Sequence, residues 1–303
     1  MNGITLSAGG AGLEVVPAAG GAIARYWLEQ GGATWEWLRP APAAALTRGD
    51  PYEVAAAFPL VPFSNRIRDG RFRFEGRDVV LPANRPPERH SIHGHGWQSG
   101  WTPLDVTATE ALLESRHAAD AWPWPYRATQ RFVLTPTSLT VVLTLGNESD
   151  GRMPAGLGWH PYFPRTPGTT ITAAVTAVWL TDDEMLPTAL VPPPAAMDPT
   201  SGLTADRVAV DNGFVGWSRR AVVDWPERGV RLLITAAPPL DVLVVYTPTG
   251  RSYLCVEPVS HVTDAVNLAA AGRRDTGLRI LEPGEALQTA VTLTPEITAG
   301  RGA

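Results

Sequence analysis

The chain has 303 residues, 44% of them hydrophobic and 18% charged, with a formal net charge of -5. That composition supplies a large core, and no lysine- or arginine-rich stretch offers the electrostatic footprint of a nucleic-acid binder. The single cysteine, Cys255, excludes an intrachain disulfide; flanked by apolar Leu254 and Val256, it reads as a buried, inert thiol.

The first residues, MNGITLSAGG, lack the basic start and apolar run of a secretory leader. No stretch approaches the ~18 uninterrupted apolar residues of a membrane span. A cytoplasmic location with no membrane partner is the resulting expectation. Glycine and proline, at 29 each, are spread along the whole chain and divide it into short segments with little room for ordinary helices. In chain order, the first dense charge cluster is Arg66, Arg68, Arg71 and Arg73, interrupted by Asp69, which reads as a solvated strand edge. Strands are expected at Arg71–Phe74, Ser138–Leu145, Ala221–Val223, Val230–Thr235, Val242–Tyr246 and Ala290–Leu293. Several of these alternate apolar and polar residues with β-branched enrichment, the mark of half-buried antiparallel strands. The proline-rich stretch from Leu186 to Thr200 reads as an irregular loop, and Thr298 to Ala303 as a frayed tail. Asn147-Glu148-Ser149 and Arg48-Gly49-Asp50 fit a glycosylation acceptor and an adhesion tripeptide, both chance matches in a cytoplasmic chain. Many short strands with regular turns, no long amphipathic helices and no repeat of fixed period predict one all-β domain over 1–303, a sandwich or barrel.

Several chemical signatures are absent. There is no phosphate-binding loop, no dinucleotide fingerprint and no Gly-x-Ser-x-Gly elbow. Of six histidines, three fall within six residues: His90, His93 and His95. An extended His93-Gly94-His95 would put both rings on one face, as a metal site needs. The next residues, Gly96-Trp97-Gln98-Ser99, bring no carboxylate, so a hydrogen-bonding pair in a polar cleft is expected and no metal. A fourth histidine lies in Gly158-Trp159-His160-Pro161-Tyr162-Phe163-Pro164, where a packed core role competes with a functional one. Glu257 follows the apolar run Tyr253-Leu254-Cys255-Val256 and precedes Pro258. A carboxylate placed there is costly to bury unless it is paired or has work to do.

Taken in order, five segments resemble the aldose 1-epimerase (galactose mutarotase) family. They are Phe63-Ser64-Asn65-Arg66-Ile67, His93-Gly94, His160-Pro161-Tyr162-Phe163, Asp211-Asn212-Gly213-Phe214 and Val256-Glu257-Pro258. The resemblance implies a large antiparallel β-sandwich with an open cleft on one sheet, a small-molecule sugar as partner, and no cofactor. It implies Glu257 as base at the C1 hydroxyl and His160 as acid at the ring oxygen. It places His93 near the ring oxygen or an adjacent hydroxyl, with Asn65, Arg66 and Asp211 orienting the sugar hydroxyls. Of the eleven tryptophans, Trp97, Trp101, Trp159 and Trp217 flank these motifs; most are expected in the core, with one or two at most lining the cleft.

Three departures bear on the sugar rather than the reaction. His93-Gly94-His95-Gly96 stands where galactose mutarotases more often carry His-Gly-Gly, leaving His95 without an assigned role. Thr235-Ala236-Ala237-Pro238 stands where a glutamine precedes a proline, and Glu257-Pro258-Val259-Ser260-His261 is closer to the broader bacterial branch. A hexose-6-phosphate 1-epimerase is the alternative enzyme, with Arg68, Arg71, Arg85 or Arg89 available for the phosphate. A non-catalytic sugar-binding or sugar-sensing module is the alternative of another class.

Overall fold

Period-two burial is plainest in the strands Tyr126–Leu134 and Leu139–Asn147, where every second residue is buried. Each therefore turns one face to a core and the other toward solvent, and the register is fixed because a one-residue slip would invert every side chain. These two belong to a nine-stranded antiparallel sheet ordered Thr102–Val106, Glu110–His117, Tyr126–Leu134, Leu139–Asn147, Ala286–Ile297, Val230–Ala236, Arg220–Trp225, Thr170–Ala173 and Leu203–Thr204. The computed structural model describes residues 3–30, 32–41, 46, 51–52 and 54–297.

An 11-stranded sheet faces it. Its path runs Ile4–Ala8, Ala11–Val16, Ala22–Gln30, Ala57–Leu60, Gly158–Pro164, Tyr253–Val259, Val242–Tyr246, Asp211–Val215, Ala177–Thr181 and Pro187–Val191, with Ala33–Glu36 paired to Ala22–Gln30. Leu13, Tyr26, Trp159, Phe163, Leu243 and Val256 from this sheet join Phe132, Val141, Leu143, Ile234 and Leu293 from the other in one core. The expected large antiparallel β-sandwich is thus the architecture. No helix among the described residues is long and apolar enough to cross a membrane.

The expected strands form, several of them longer than the sequence suggested: Leu139–Asn147, Arg220–Trp225, Val230–Ala236 and Ala286–Ile297. Arg71–Phe74 and Val242–Tyr246 match their expected bounds. The irregular loop expected from Leu186 to Thr200 needs correction, because Pro187–Val191 is a strand paired with Ala177–Thr181. It lies last in the sheet, where a proline without an N–H costs nothing on the unpaired side. The supposed glycosylation acceptor is engaged internally: Asn147 is buried and its amide donates to Gly151 O and Leu281 O. The Arg48-Gly49-Asp50 tripeptide and the tail from Thr298 lie outside the described residues.

Two central strands, Gly158–Pro164 and Tyr253–Val259, break the period-two rule and are buried on both faces. Their second face, opposite the sandwich core, packs into a separate cluster with Phe58, Leu60, Ile92, Trp97, Tyr162, Val244 and Cys255. Loops therefore cover the middle of the large sheet, and a pocket lies beneath them.

Removing a core side chain on the alternating face should be costly and changing its exposed counterpart should not. Leu143→Ala is expected to lower unfolding free energy by ~2–5 kcal/mol. Arg131→Ala, an exposed position on the neighbouring strand, is expected to change it by less than ~0.5 kcal/mol. Denaturant titration checks both, and similar losses at the two positions would contradict this register.

Candidate active site

Cross-strand register gathers the pocket. In the antiparallel ladders Phe58 pairs with His160, Tyr162 with Cys255, Val244 with Glu257 and Tyr246 with both Cys255 and Asp211. Residues paired this way project from the same face, so Phe58, His160, Glu257, Val244 and Asp211 all point away from the sandwich core. The register that pairs Gly158 with Val259 and Tyr162 with Cys255 sets His160 opposite Glu257. Asp211 is two strands beyond Glu257, roughly 10 Å at the usual strand spacing.

His160 Nε2 lies 3.3 Å from Glu257 Oε1, and both side chains are almost wholly buried, at 3% and 4% exposed. Phe58 stacks on one side of the His160 ring at 4.6 Å between centroids, and Tyr162 stacks on it at 4.7 Å. This apolar bed holds the imidazole down to about 3 by desolvation, with Arg39 and Arg85 adding a smaller effect. Desolvation also pushes the Glu257 carboxyl well above the carboxylate range, Asp211 adds to that, and Arg66 opposes it. Each group is therefore held toward its uncharged form, Glu257 as acid and His160 as neutral imidazole.

Loops from residues 61–97 form the roof. The short strands Arg66–Ile67 and Ser91–Ile92 pair with each other, and Asn65 and His93 precede and follow them. Asn65 N–H donates to His93 Nδ1 at 3.0 Å, while His93 N–H donates back to Asn65 O at 3.0 Å. With Nδ1 accepting, the His93 ring proton sits on Nε2. Both residues hold positive φ, 55° and 62°, a region that asparagine and histidine enter more readily than other non-glycine residues. Burial, with His160 and Arg66 contributing, keeps His93 neutral.

The pocket is lined by these residues together with Tyr52, Arg85, Glu88 and Tyr246. Arg66 meets Glu88 in a fork, with Nε 3.1 Å and Nη2 3.0 Å from the two carboxylate oxygens, and Arg85 Nη1 reaches the same carboxylate at 3.4 Å. The Arg85 guanidinium also lies 3.7 Å from the Tyr52 ring centre. Burial raises the Asp211 carboxyl above its ordinary value, Arg66 opposing. A wider cleft continues outward from Arg66, Glu88, Asp211 and Tyr246, lined further by Arg89, Asp183 and Glu184.

All six expected site residues, Asn65, Arg66, His93, His160, Asp211 and Glu257, line one pocket. Tyr52, Arg85 and Glu88 were not singled out as sugar contacts, although Arg85 and Glu88 announce themselves as charges flanking the Pro86-Pro87 pair ahead of the histidine cluster. Two expectations are corrected. Arg66 is no solvated edge but faces the pocket with its side chain 11% exposed, whereas Arg71 and Arg73 are exposed as expected. His93 and His95 do not share a face, because His93 and Gly94 both have positive φ and the chain turns between them. His95 instead stacks on His117 at 4.6 Å, and its Nδ1 lies 3.5 Å from the Tyr126 hydroxyl. The flanking Trp97, Trp101, Trp159 and Trp217 are all core, and none lines this pocket. Among the described residues, His160, Cys255 and Glu257 form the grouping that could hold a metal, each with a ligand atom within 4.8 Å of the others. A cation there would have to displace the proton that burial keeps on Glu257.

Comparison with known proteins identifies the family and the fold. The family model for aldose 1-epimerase matches residues 3–294. The chain is 31% identical over 300 residues to the uncharacterized protein YphB of Escherichia coli K12, across 96% of this chain and 98% of that protein. It superposes with a TM-score of 0.88 and 30% identity on the crystal structure of an aldose 1-epimerase candidate from Escherichia coli K12, covering 98% of this chain and 99% of that one. A galactose mutarotase-like protein from Clostridium acetobutylicum shares the fold with a TM-score of 0.85 at 20% identity, over 98% of this chain and 95% of that one.

The buried histidines make stability depend on pH. Burial, with His117 adding to it, lowers His95 to about 4, against 6.5 for a solvated ring. The unfolded chain binds the extra proton between those values, so the stabilisation is complete above ~6.5 and is lost as pH falls toward the folded value. His93, His160 and His261 are shifted in the same direction. The histidines lower denaturant midpoints as pH falls from ~6.5 to ~4, with the raised carboxyls Glu257, Asp211 and Asp264 opposing them, so the slope of midpoint against pH over that window should be less positive in His95→Gln than in the parent. An unchanged slope in the variant would remove His95 from this account.

Proposed function

The chain belongs to the aldose 1-epimerase family, and from that premise we propose that it interconverts the α and β anomers of a free, unphosphorylated aldose. A buried imidazole and a buried carboxyl 3.3 Å apart on one pocket floor carry that reading. Mutarotation needs two proton transfers: a base removes the C1 hydroxyl proton and an acid protonates the ring oxygen. The ring opens to the aldehyde, the C1–C2 bond rotates, and closure on the other face gives the other anomer.

The pair suits this if it carries a single proton. With Glu257 as carboxylate and His160 as imidazolium, Glu257 takes the C1 hydroxyl proton while His160 gives one to the ring oxygen. The open-chain aldehyde then faces a carboxylic acid and a neutral imidazole, the protonation state that burial favours. Ring closure returns both protons, so no net proton is gained or lost and no electron acceptor is required. His93, with its proton on Nε2, is a fixed donor for the ring oxygen or a neighbouring hydroxyl. Arg66 and Asp211 would hold hydroxyls from the opposite wall, with Asn65 beside them.

The charges speak for an unphosphorylated sugar. Arg66 and Arg85 both contact Glu88, and the outer cleft adds Asp183 and Glu184 against Arg89. A phosphate dianion entering there would face at least as many carboxylates as guanidiniums. Of the arginines considered for a phosphate, Arg68 and Arg71 line neither the pocket nor the cleft.

Polarimetry on freshly dissolved α-D-glucose and α-D-galactose tests the reading. The protein is expected to speed relaxation to the equilibrium rotation, and Glu257→Gln or His160→Asn to lower kcat by ~10²–10⁴-fold. Arg66→Ala and Asp211→Asn should raise KM as well. Undiminished turnover in Glu257→Gln, or faster turnover of glucose 6-phosphate than of glucose, would contradict it. A sugar that binds and is never turned over would instead support a sensing module.

A further inference from the structure

The segment Ser64–Asp69 carries Asn65 and Arg66, yet its backbone is held by side chains more than by a sheet ladder. Ser64 N–H donates to His261 Nε2 at 3.1 Å, Asn65 N–H to His93 Nδ1 and Asp69 N–H to His90 Nδ1 at 2.9 Å. Arg68 N–H donates to Asp264 Oδ1 at 3.0 Å, and Arg66 O accepts from Asp264 N–H at 2.9 Å. Three of these anchors sit in the roof or the helix-bearing loop. His261 differs, because it comes four residues after Glu257, just past the end of the strand that carries it.

His261 is outside the pocket lining but is 3% exposed and has both ring nitrogens committed. Nε2 accepts from Ser64, so Nδ1 carries the proton and donates to Val262 O at 2.8 Å. The ring cannot drift. A Cβ on Gly156 would lie 2.1 Å from its Cδ2, so the imidazole rests against bare backbone there. Gly156 N–H in turn donates to Pro62 O at 2.7 Å, and Ser260 is tied to Leu157 by bonds of 2.8 and 3.0 Å. A continuous hydrogen-bonded path therefore joins the end of the Glu257 strand to the start of the sugar-contacting segment, 197 residues apart at the Ser64–His261 bond.

We infer that His261 is a positioning residue: its Nε2 fixes Asn65 and Arg66 at a set distance from Glu257, so that the hydroxyl-holding wall and the acid–base floor address one sugar at once. The inference rests on the epimerase reading. It also explains why a residue outside the pocket spends both nitrogens on backbone groups. Asn65 and Arg66 follow Ser64 directly, and Asn65 is in the positive-φ region, so freeing the Ser64 amide would let that turn relax.

Two variants separate this role from filling space. His261→Gln places an amide oxygen where Nε2 stands and keeps the Ser64 bond. His261→Asn reaches only the Nδ1 position, keeping a donor for Val262 O and leaving the Ser64 N–H without an acceptor. Expected is a KM within ~3-fold of the parent for the glutamine variant and raised ~10-fold or more for asparagine, with kcat changed less than KM in both. Hydrogen exchange at the Ser64 amide should be slow in the parent and the glutamine variant and faster in asparagine, whether or not a sugar is turned over. Equal KM and equal Ser64 exchange in the two variants, or a loss confined to kcat, would overturn the inference. An inactive parent would count against the epimerase reading alone, since the exchange measurement stands without turnover.

Discussion

Two ionisable groups held together away from water set the terms for the rest of this structure. Removing an isolated carboxylate or imidazolium from water costs far more than a protein's whole stability margin, so such groups are paired or discharged. Here both devices operate. His160 and Glu257 stand opposite each other on adjacent strands, and burial drives each toward its uncharged form. The aromatic bed of Phe58 and Tyr162 keeps the imidazole dry, while Arg66 supplies positive charge that favours ionised Glu257. Burial thus favours the arrangement of neutral imidazole and carboxylic acid, and Arg66 favours the ionised Glu257.

The sandwich makes that placement possible. A strand in the middle of a sheet has two faces, and a sandwich buries only one of them against its partner sheet. In the central strands of the large sheet the second face is buried too, beneath loops. The sheet fixes the floor through backbone ladders, so Glu257, His160 and Asp211 keep their relative positions with ladder precision. The roof has only short two-stranded ladders of its own. It is tied by histidines accepting amide protons and by Asp264, contacts that require those rings to remain neutral. At His93 and His261, depressed basicity and roof architecture are therefore two aspects of one arrangement.

Much of this was legible in the sequence where the signal is local. Alternation in Leu139–Asn147 and Val230–Ala236 reflects one buried face per strand, and it gave the fold class. Pro187–Val191 escaped because Pro187 and the prolines that follow the strand resemble loop punctuation, and its place at the sheet edge reconciles Pro187 with a strand. Five ordered motifs around Asn65-Arg66, His93, His160, Asp211 and Glu257 led to residues that do converge on one pocket. What stayed hidden depends on backbone conformation or on distant contacts. The divergence of His93 from His95 follows from two successive positive φ values that nothing in His-Gly-His specifies. Tyr52, Glu88 and Arg85 join the site only through the folding of long loops, and the Ser64–His261 bond spans most of the chain.

The most direct test of the proton balance is infrared spectroscopy of the ligand-free protein at neutral pH, taken as a difference between the parent and Glu257→Gln. The account predicts that the parent contributes a protonated carboxylic acid band absent from the variant. Addition of an aldose should transfer part of that intensity to carboxylate as the pair ionises around the sugar. A difference spectrum containing only carboxylate bands before sugar is added would contradict the account, because burial would then not be holding Glu257 as the acid.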